Sequence, residues 1–261
     1  MNFYNAIKYF QYLIHSGHNK GHGIHSPFIF DLVSRVFRNK NGREVVLRIE
    51  KIRKRLLRDR RLIEVHDLGA GGNKSNLRTR KVSEIARYSA VPAKYGVLLG
   101  NLASEFGKKP VIELGTSFGL STMYMAASCE STVYTIEGCS SCAGIARGNF
   151  SEAGLKNVVL LTGSFDTVLP ELAAKSIKPG MVFIDGNHRK EAVLKYFSEL
   201  SSISGEDTVF VFDDIYYSRE MAEAWEEIIS SENVSASIDI FRMGIVFLKP
   251  NITRNHYIIS Y

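Results

Sequence analysis

The sequence has 261 residues, 45% of them hydrophobic, and a formal net charge of +6. That is enough chain for one sizeable α/β domain with an added segment. No apolar run approaches the ~20 residues of a membrane span, and Cys129, Cys139 and Cys142 are too few for a disulfide framework. The charge is uneven: residues 1–109 hold 22 Lys/Arg against 8 Asp/Glu (+14), and residues 110–261 hold 11 against 19 (−8). A basic segment of this kind either meets an anionic partner or docks as a solvated face on the acidic part, and the second is the plainer expectation. Met1 to Leu13 lacks the continuous apolar stretch and small-residue cleavage site of a signal peptide, so a cytoplasmic location is expected by default.

In chain order, residues 2–15 read as a helix with Phe3, Ile7, Phe10 and Ile14 near helical spacing. A Gly/His-rich loop follows, with His15, His18, His22 and His25 in and beside it. Ser26-Pro27 reads as a helix start, with helices over 27–38 and 43–59, the second strongly basic. Residues 81–106 read as helical with an interruption near Pro92. A boundary is expected at about Pro110, dividing a basic, mostly helical extension (1–109) from the main domain (110–261). From there strands at 110–114, 132–136, 157–161, 181–185 and 207–212 alternate with helices at 119–128, 141–153, 167–174, 189–200 and 218–230. Two further strands, 236–241 and 244–248, are separated by Arg242 and Met243 alone, which demands an antiparallel hairpin. The expected fold is a doubly wound, mainly parallel, seven-stranded Rossmann-like sheet closed by that hairpin.

The segment Val111-Ile112-Glu113-Leu114-Gly115-Thr116-Ser117-Phe118-Gly119 is a strand ending in a Gly-rich turn before a helix. Gly115 permits a tight turn and Gly119 a close backbone approach. In open α/β sheets ligands sit at the carboxyl ends of the strands. The next strand ends in Glu137-Gly138, an acid 22 residues after Gly115, placed to bind ribose hydroxyls. Dinucleotide sites use G-x-G-x-x-G, but here the glycines fall as G-x-x-x-G with Glu113 beside the turn. Negative charge there suits the cationic amino-acid end of S-adenosylmethionine and repels a pyrophosphate. A near copy, Glu64 to Gly72, is followed by a polar, basic stretch and no strand with an acid. It reads as a loop, either part of a lid or a linker turn.

Residues 110–215 resemble the class I, catechol O-methyltransferase-type enzymes and related bacterial small-molecule O-methyltransferases. The resemblance rests on Glu113-Leu114-Gly115 with Ser117, Gly119 and Ser121, on Glu137, on Gly163-Ser164-Phe165-Asp166, and on Ile184-Asp185-Gly186-Asn187-His188. It implies that S-adenosylmethionine is the cofactor. Ser117 and Ser121 would contact its amino-acid end, Glu137 the ribose, and Phe165 and Asp166 the adenine, with Glu113, Gly115, Thr116, Gly119, Gly138 and Asp185 also in the cofactor site.

Asp185 closes the fourth strand and Asp213-Asp214 the fifth, so three carboxylates are expected on the cofactor side. Such a set calls for a cation, and oxygen ligands suit Mg²⁺ or another divalent ion. The resembling enzymes hold a metal here through Asp, Asp and Asn, and this chain has Asp214 in the Asn position. The alternative is that Asp185 meets the cofactor's amino group while Asp213 and Asp214 cap the next helix. His188 stands where those enzymes carry a lysine base, and histidine suits the task. The expected reaction is O-methylation of a small-molecule hydroxyl. An RNA or protein acceptor reached through the basic part, and a non-catalytic module, are the alternatives. The 43–61 segment lacks interleaved aromatics, which weighs against nucleic acid. Cys139 and Cys142 read as part of the turn after the ribose acid rather than a redox pair. The acceptor is not legible, and a homodimer is left open.

Overall fold

The computed structural model describes residues 3–17, 24–39, 43–66, 77–250 and 252–261. The elements are, in chain order, α1 (Phe3–His15), α2 (Pro27–Asp31) running into a π-helical turn (Leu32–Val36), α3 (Arg43–Leu56), β1 (Leu62–His66), β2 (Leu77–Lys81), α4 (Val82–Tyr88) and α5 (Ala93–Phe106). Then come β3 (Val111–Leu114), α6 (Leu120–Ala126), β4 (Val133–Glu137), α7 (Ser140–Ala153), β5 (Val158–Thr162) and α8 (Phe165–Ala174). The chain finishes with β6 (Met181–Ile184), α9 (Lys190–Ile203), β7 (Val209–Asp213), α10 (Arg219–Ser230), β8 (Ala236–Asp239), β9 (Met243–Phe247) and β10 (Asn255–Ile258). Contacts divide it into two compact units, Met1–Arg38 with Lys178–Tyr261, and Asn39–Ile177.

In the second unit β3, β4 and β5 run parallel, with Val111 opposite Val133 and Val133 opposite Val158. All four residues of β3 are buried, as a parallel strand covered on both faces requires. Helices α3 and α5 pack on α6. Tyr124 of α6 donates to Glu50 of α3 (2.8 Å), and Glu50 also pairs with Arg53 (2.8 Å), whose guanidinium reaches the Val91 carbonyl (2.6 Å). This polar chain ties α3 to the core formed by Ile49, Ile52, Leu56, Met123 and Phe150. The segment before Pro110 is not wholly helical, because β1 and β2 form an antiparallel pair. The Gly-rich turn from Asp67 to Gly72, and His18 and His22 of the N-terminal loop, lie outside the described residues.

In the first unit the strand order is β10-β8-β9-β7-β6, with β6 and β7 parallel and β9 antiparallel to both β7 and β8. The terminal hairpin is therefore present. The units hold five and three strands of a Rossmann-like, mainly parallel α/β fold, eight where seven were expected. The additional one is β10, parallel to β8. Its sequence, Asn-His-Tyr-Ile, is short and half polar, and only its long-range pairing makes it a strand. Tyr12 of α1 donates to the Ile259 carbonyl (2.6 Å), and Tyr9 and Tyr12 pack on Phe241, just past β8. Among the described residues no helix is long and apolar enough to cross a membrane.

Candidate active-site residues in the two units

In the second unit the turn after β3 has three residues at positive φ, Gly115 (101°), Ser117 (48°) and Gly119 (79°). Such a path folds the chain tightly between strand and helix. Gly119 is fixed by space as well as by φ, since a Cβ there would lie 2.3 Å from the Phe150 ring. Gly119→Ala is expected to destabilise the protein by about 2–4 kcal/mol, read from urea unfolding.

Glu113, expected to face a cation, is fully buried. Its carboxylate accepts hydroxyls from Ser121 (2.5 Å), Thr122 and Thr135 (2.6 Å). Burial pushes the carboxyl up to about 7, and the three hydroxyls oppose the rise. The Thr116 hydroxyl also meets that of Thr135 at 2.5 Å. Glu113, Thr116 and Ser121 thus brace the turn from below, with their side chains committed to one another. Asn149, another buried residue, donates to the Phe118 carbonyl (2.8 Å) and accepts from Arg55 (2.6 Å).

Glu137 is placed differently. It ends β4 half-buried, accepting backbone N–H groups from Ser117 (2.7 Å) and Cys139 (2.8 Å), with Gly138 also donating. A carboxylate offers about four acceptor positions, so three amides fix its direction and leave capacity for a ligand hydroxyl. Burial pushes this carboxyl up to about 7, against the pull of the amides. The Gly163 amide, just after β5, bonds the Glu137 carbonyl (3.0 Å). Beyond it Ser164 caps α8, leaving Phe165 half-buried and Asp166 exposed at its first turn. The carboxyl ends of β3, β4 and β5 therefore carry a strained Gly turn, an oriented carboxylate and an aromatic edge. That donor set fits a ribosyl ligand. Cys139 and Cys142 are free, buried thiols.

In the first unit Asp185 follows β6, and His188 places Nε2 3.9 Å from its Oδ1. The imidazole lies 5.3 Å from the Tyr217 ring. Burial pulls the His188 pKa below its ordinary value, with Asp214 raising it and Arg242 lowering it further. A neutral imidazole at neutral pH follows. Asp213 closes β7 with 1% of its side chain exposed. Arg242, from the turn between β8 and β9, holds it in a two-pronged pair, Nε to Oδ1 at 3.0 Å and a terminal nitrogen to Oδ2 at 2.7 Å. Asp214 lies 3.6 Å from the same guanidinium. Burial pushes the Asp213 carboxyl up to about 6, Asp214 adds to the rise, and Arg242 opposes it.

Where a divalent ion was expected on Asp185, Asp213 and Asp214, the structure places the Arg242 guanidinium against Asp213 and Asp214. Both oxygens of Asp213 already face a cation. Among the described residues no three His, Cys, Asp or Glu side chains are grouped to hold a metal. The residues do not fit the ion. Arg242 entered the sequence reading only as a hairpin spacer. The signal available was a basic residue in a two-residue turn beside an otherwise uncompensated Asp-Asp pair.

Residues 112–215 match a family model described as a methyltransferase domain. A catechol O-methyltransferase from Niastella koreensis is 32% identical over 130 residues, covering 48% of this chain and 58% of its own length. The chain thus spans little more than half of that relative. An O-methyltransferase from Bacillus cereus in complex with SAH superposes with a TM-score of 0.56 at 20% identity, over 83% of this chain and 96% of that one. The O-methyltransferase TomG from Streptomyces achromogenes, in complex with SAM, gives 0.55 at 23% identity, over 62% and 82%. The two solved structures share the fold, and the family match falls on the segment that carries the Gly turn and Glu137. Residues 112–215 are thus similar to a methyltransferase domain, and the fold is the one those two solved O-methyltransferases adopt.

Proposed function

We propose that the chain transfers a methyl group from S-adenosylmethionine to the hydroxyl of a small-molecule acceptor, with His188 taking the hydroxyl proton. The observation that carries the cofactor assignment is Glu137, half-buried at the end of β4 and aimed by the amides of Ser117 and Cys139. When bound, S-adenosylmethionine supplies an already activated methyl group, so most of the protein's work is positioning. Glu137 accepts from the ribose hydroxyls. Gly115, Ser117, Gly119 and Gly138 shape the backbone against the ligand, Phe165 lies against the adenine, and Asp166 accepts from it. The hydroxyls beneath the turn, on Thr116, Ser121, Thr122 and Thr135, keep it from relaxing.

His188 is suited to a proton because burial keeps its ring neutral. The imidazolium it becomes is stabilised by Asp185 at 3.9 Å and by the Asp214 charge. Asp185 thus positions the base through its charge. No step of this reading passes through a metal. Residues 1–109 are assigned the choice of acceptor. The family match begins beyond them, and α1 packs on Phe241, the neighbour of Arg242.

Calorimetry with S-adenosylmethionine and S-adenosylhomocysteine, with NAD as control, tests the cofactor half. Saturable one-to-one binding of both sulfur ligands and none of NAD is expected, and binding of neither sulfur ligand would overturn the proposal. Transfer of labelled methyl across a panel of phenols and aliphatic alcohols then tests the acceptor class.

A further inference from the structure

We propose that Arg242 is a built-in cation that replaces a divalent metal at the carboxylate cluster following β6 and β7, and that methyl transfer by this chain is metal-independent. The second half rests on the methyltransferase reading, whereas the first does not. The acids are Asp213 and Asp214, 2.7 and 3.6 Å from the Arg242 guanidinium, and Asp185, whose charge also acts on it, with His188 3.9 Å from Asp185. Uncompensated, those carboxylates would recruit a cation from solution. The chain supplies one instead. A guanidinium is charged at every relevant pH, and its fork matches a carboxylate at two points. Here both points are made, at 3.0 and 2.7 Å, to a carboxylate that is 1% exposed.

The placement of Arg242 is held by the backbone around it. Its N–H bonds the Ile240 carbonyl (2.8 Å), and its own carbonyl accepts from Ile215 (3.4 Å), the residue after Asp214. Asp239 fixes the turn from the other side. Its Oδ1 accepts from the Phe241 amide (2.6 Å) and its Oδ2 from the Tyr216 hydroxyl (2.5 Å). Phe241 sits at φ +66° against the rings of Tyr9, Tyr12 and Tyr216. A loosely anchored surface arginine could be pushed aside by an incoming ion. This one is locked at the turn, and moving it would leave Asp213 buried without its partner, a state that is strongly disfavoured. The arrangement also accounts for a third carboxylate at Asp214, since a guanidinium between two acids is served by charge on both sides.

The test measures metal binding on the full chain, without cofactor, so that it stands or falls apart from the enzyme reading. Calorimetry with Mg²⁺, Mn²⁺ and Ca²⁺ on chelator-treated wild-type protein is expected to give no saturable site. Arg242→Ala is expected to gain one, saturable at metal concentrations at which the wild type shows no binding, once a neighbouring positive charge is gone. Asp213→Asn in the Arg242→Ala background is expected to abolish the gained site. Arg242→Lys, which keeps the charge and guards against an unfolded alanine variant, is expected to bind no metal. One-to-one Mn²⁺ binding by the wild type that Asp213→Asn or Asp214→Asn removes would overturn the proposal. So would a folded Arg242→Ala protein that gains no metal affinity. For turnover, wild-type rates are expected to be unchanged by EDTA, and a loss that Mg²⁺ restores would overturn the second half alone. Absence of turnover with any acceptor would count against the methyltransferase reading and leave the binding result standing.

Discussion

His188→Ala is expected to lower kcat by about 10²- to 10⁴-fold, the range of a positioned general base, while S-adenosylmethionine affinity measured by calorimetry stays unchanged. The split follows from the geometry. His188 sits beside Asp185 and within reach of the Asp214 and Arg242 charges, whereas the ribose acid Glu137 is held by the Ser117 and Cys139 amides. Burial lowers the His188 pKa, so the ring is neutral and competent down to a pH below the ordinary value of 6.5. The rate of the wild type is therefore expected to fall only on the acid side, with a midpoint below 6.5, as the ring takes a proton and can no longer accept one. In the alanine variant that acid limb should vanish, and added imidazole should restore part of the rate. A variant that keeps wild-type kcat, or keeps the same acid limb, would remove His188 from the role of base.

The strands at 181–184 and 209–213 were legible because Met181–Ile184 and Val209–Phe212 are short, continuous apolar runs, and 111–114 because only Glu113 interrupts its apolar run. The helix start at Ser26-Pro27 was legible because the Ser26 hydroxyl does the capping locally, whereas the caps at Ser164 and Ser218 went unread. What sequence reasoning missed is non-local. Strand β10 is a strand only because β8 offers it a partner. Asn149 reaches back 31 residues to the Phe118 carbonyl, and Arg242 reaches back 29 to Asp213. No spacing rule links those pairs. Glu113 shows a different limit. Its place in the motif was plain, but a carboxylate at the end of a strand can face a ligand or face inward. Three hydroxyls on β4 and α6 turn it inward.

Glu137→Ala is expected to weaken S-adenosylmethionine binding by roughly 10- to 150-fold, the loss of charge-assisted hydrogen bonds to the ribose. It should also cost stability without ligand, because the Ser117 and Cys139 amides lose their acceptor. Glu137→Gln keeps one acceptor oxygen and is expected to fall between the two. The pH dependence makes the assignment sharper. Burial holds the Glu137 carboxyl near 7, above its usual 4.5, so the free protein carries part of a proton there at neutral pH. A carboxyl raised on folding makes the free protein less stable as pH climbs from about 4.5 to about 7, since the unfolded chain ionises first. Ligand hydroxyls that donate to the carboxylate favour its ionised form. Binding is then expected to release a proton, and affinity to rise as pH passes upward through about 7. Calorimetry near pH 7 in buffers of different ionisation enthalpy measures that release directly. Glu113 is also held near 7, so Glu137→Gln decides between them: the release should disappear in that variant if Glu137 meets the ribose. If it persists undiminished, the proton comes from Glu113, and the contact assigned to Glu137 is wrong.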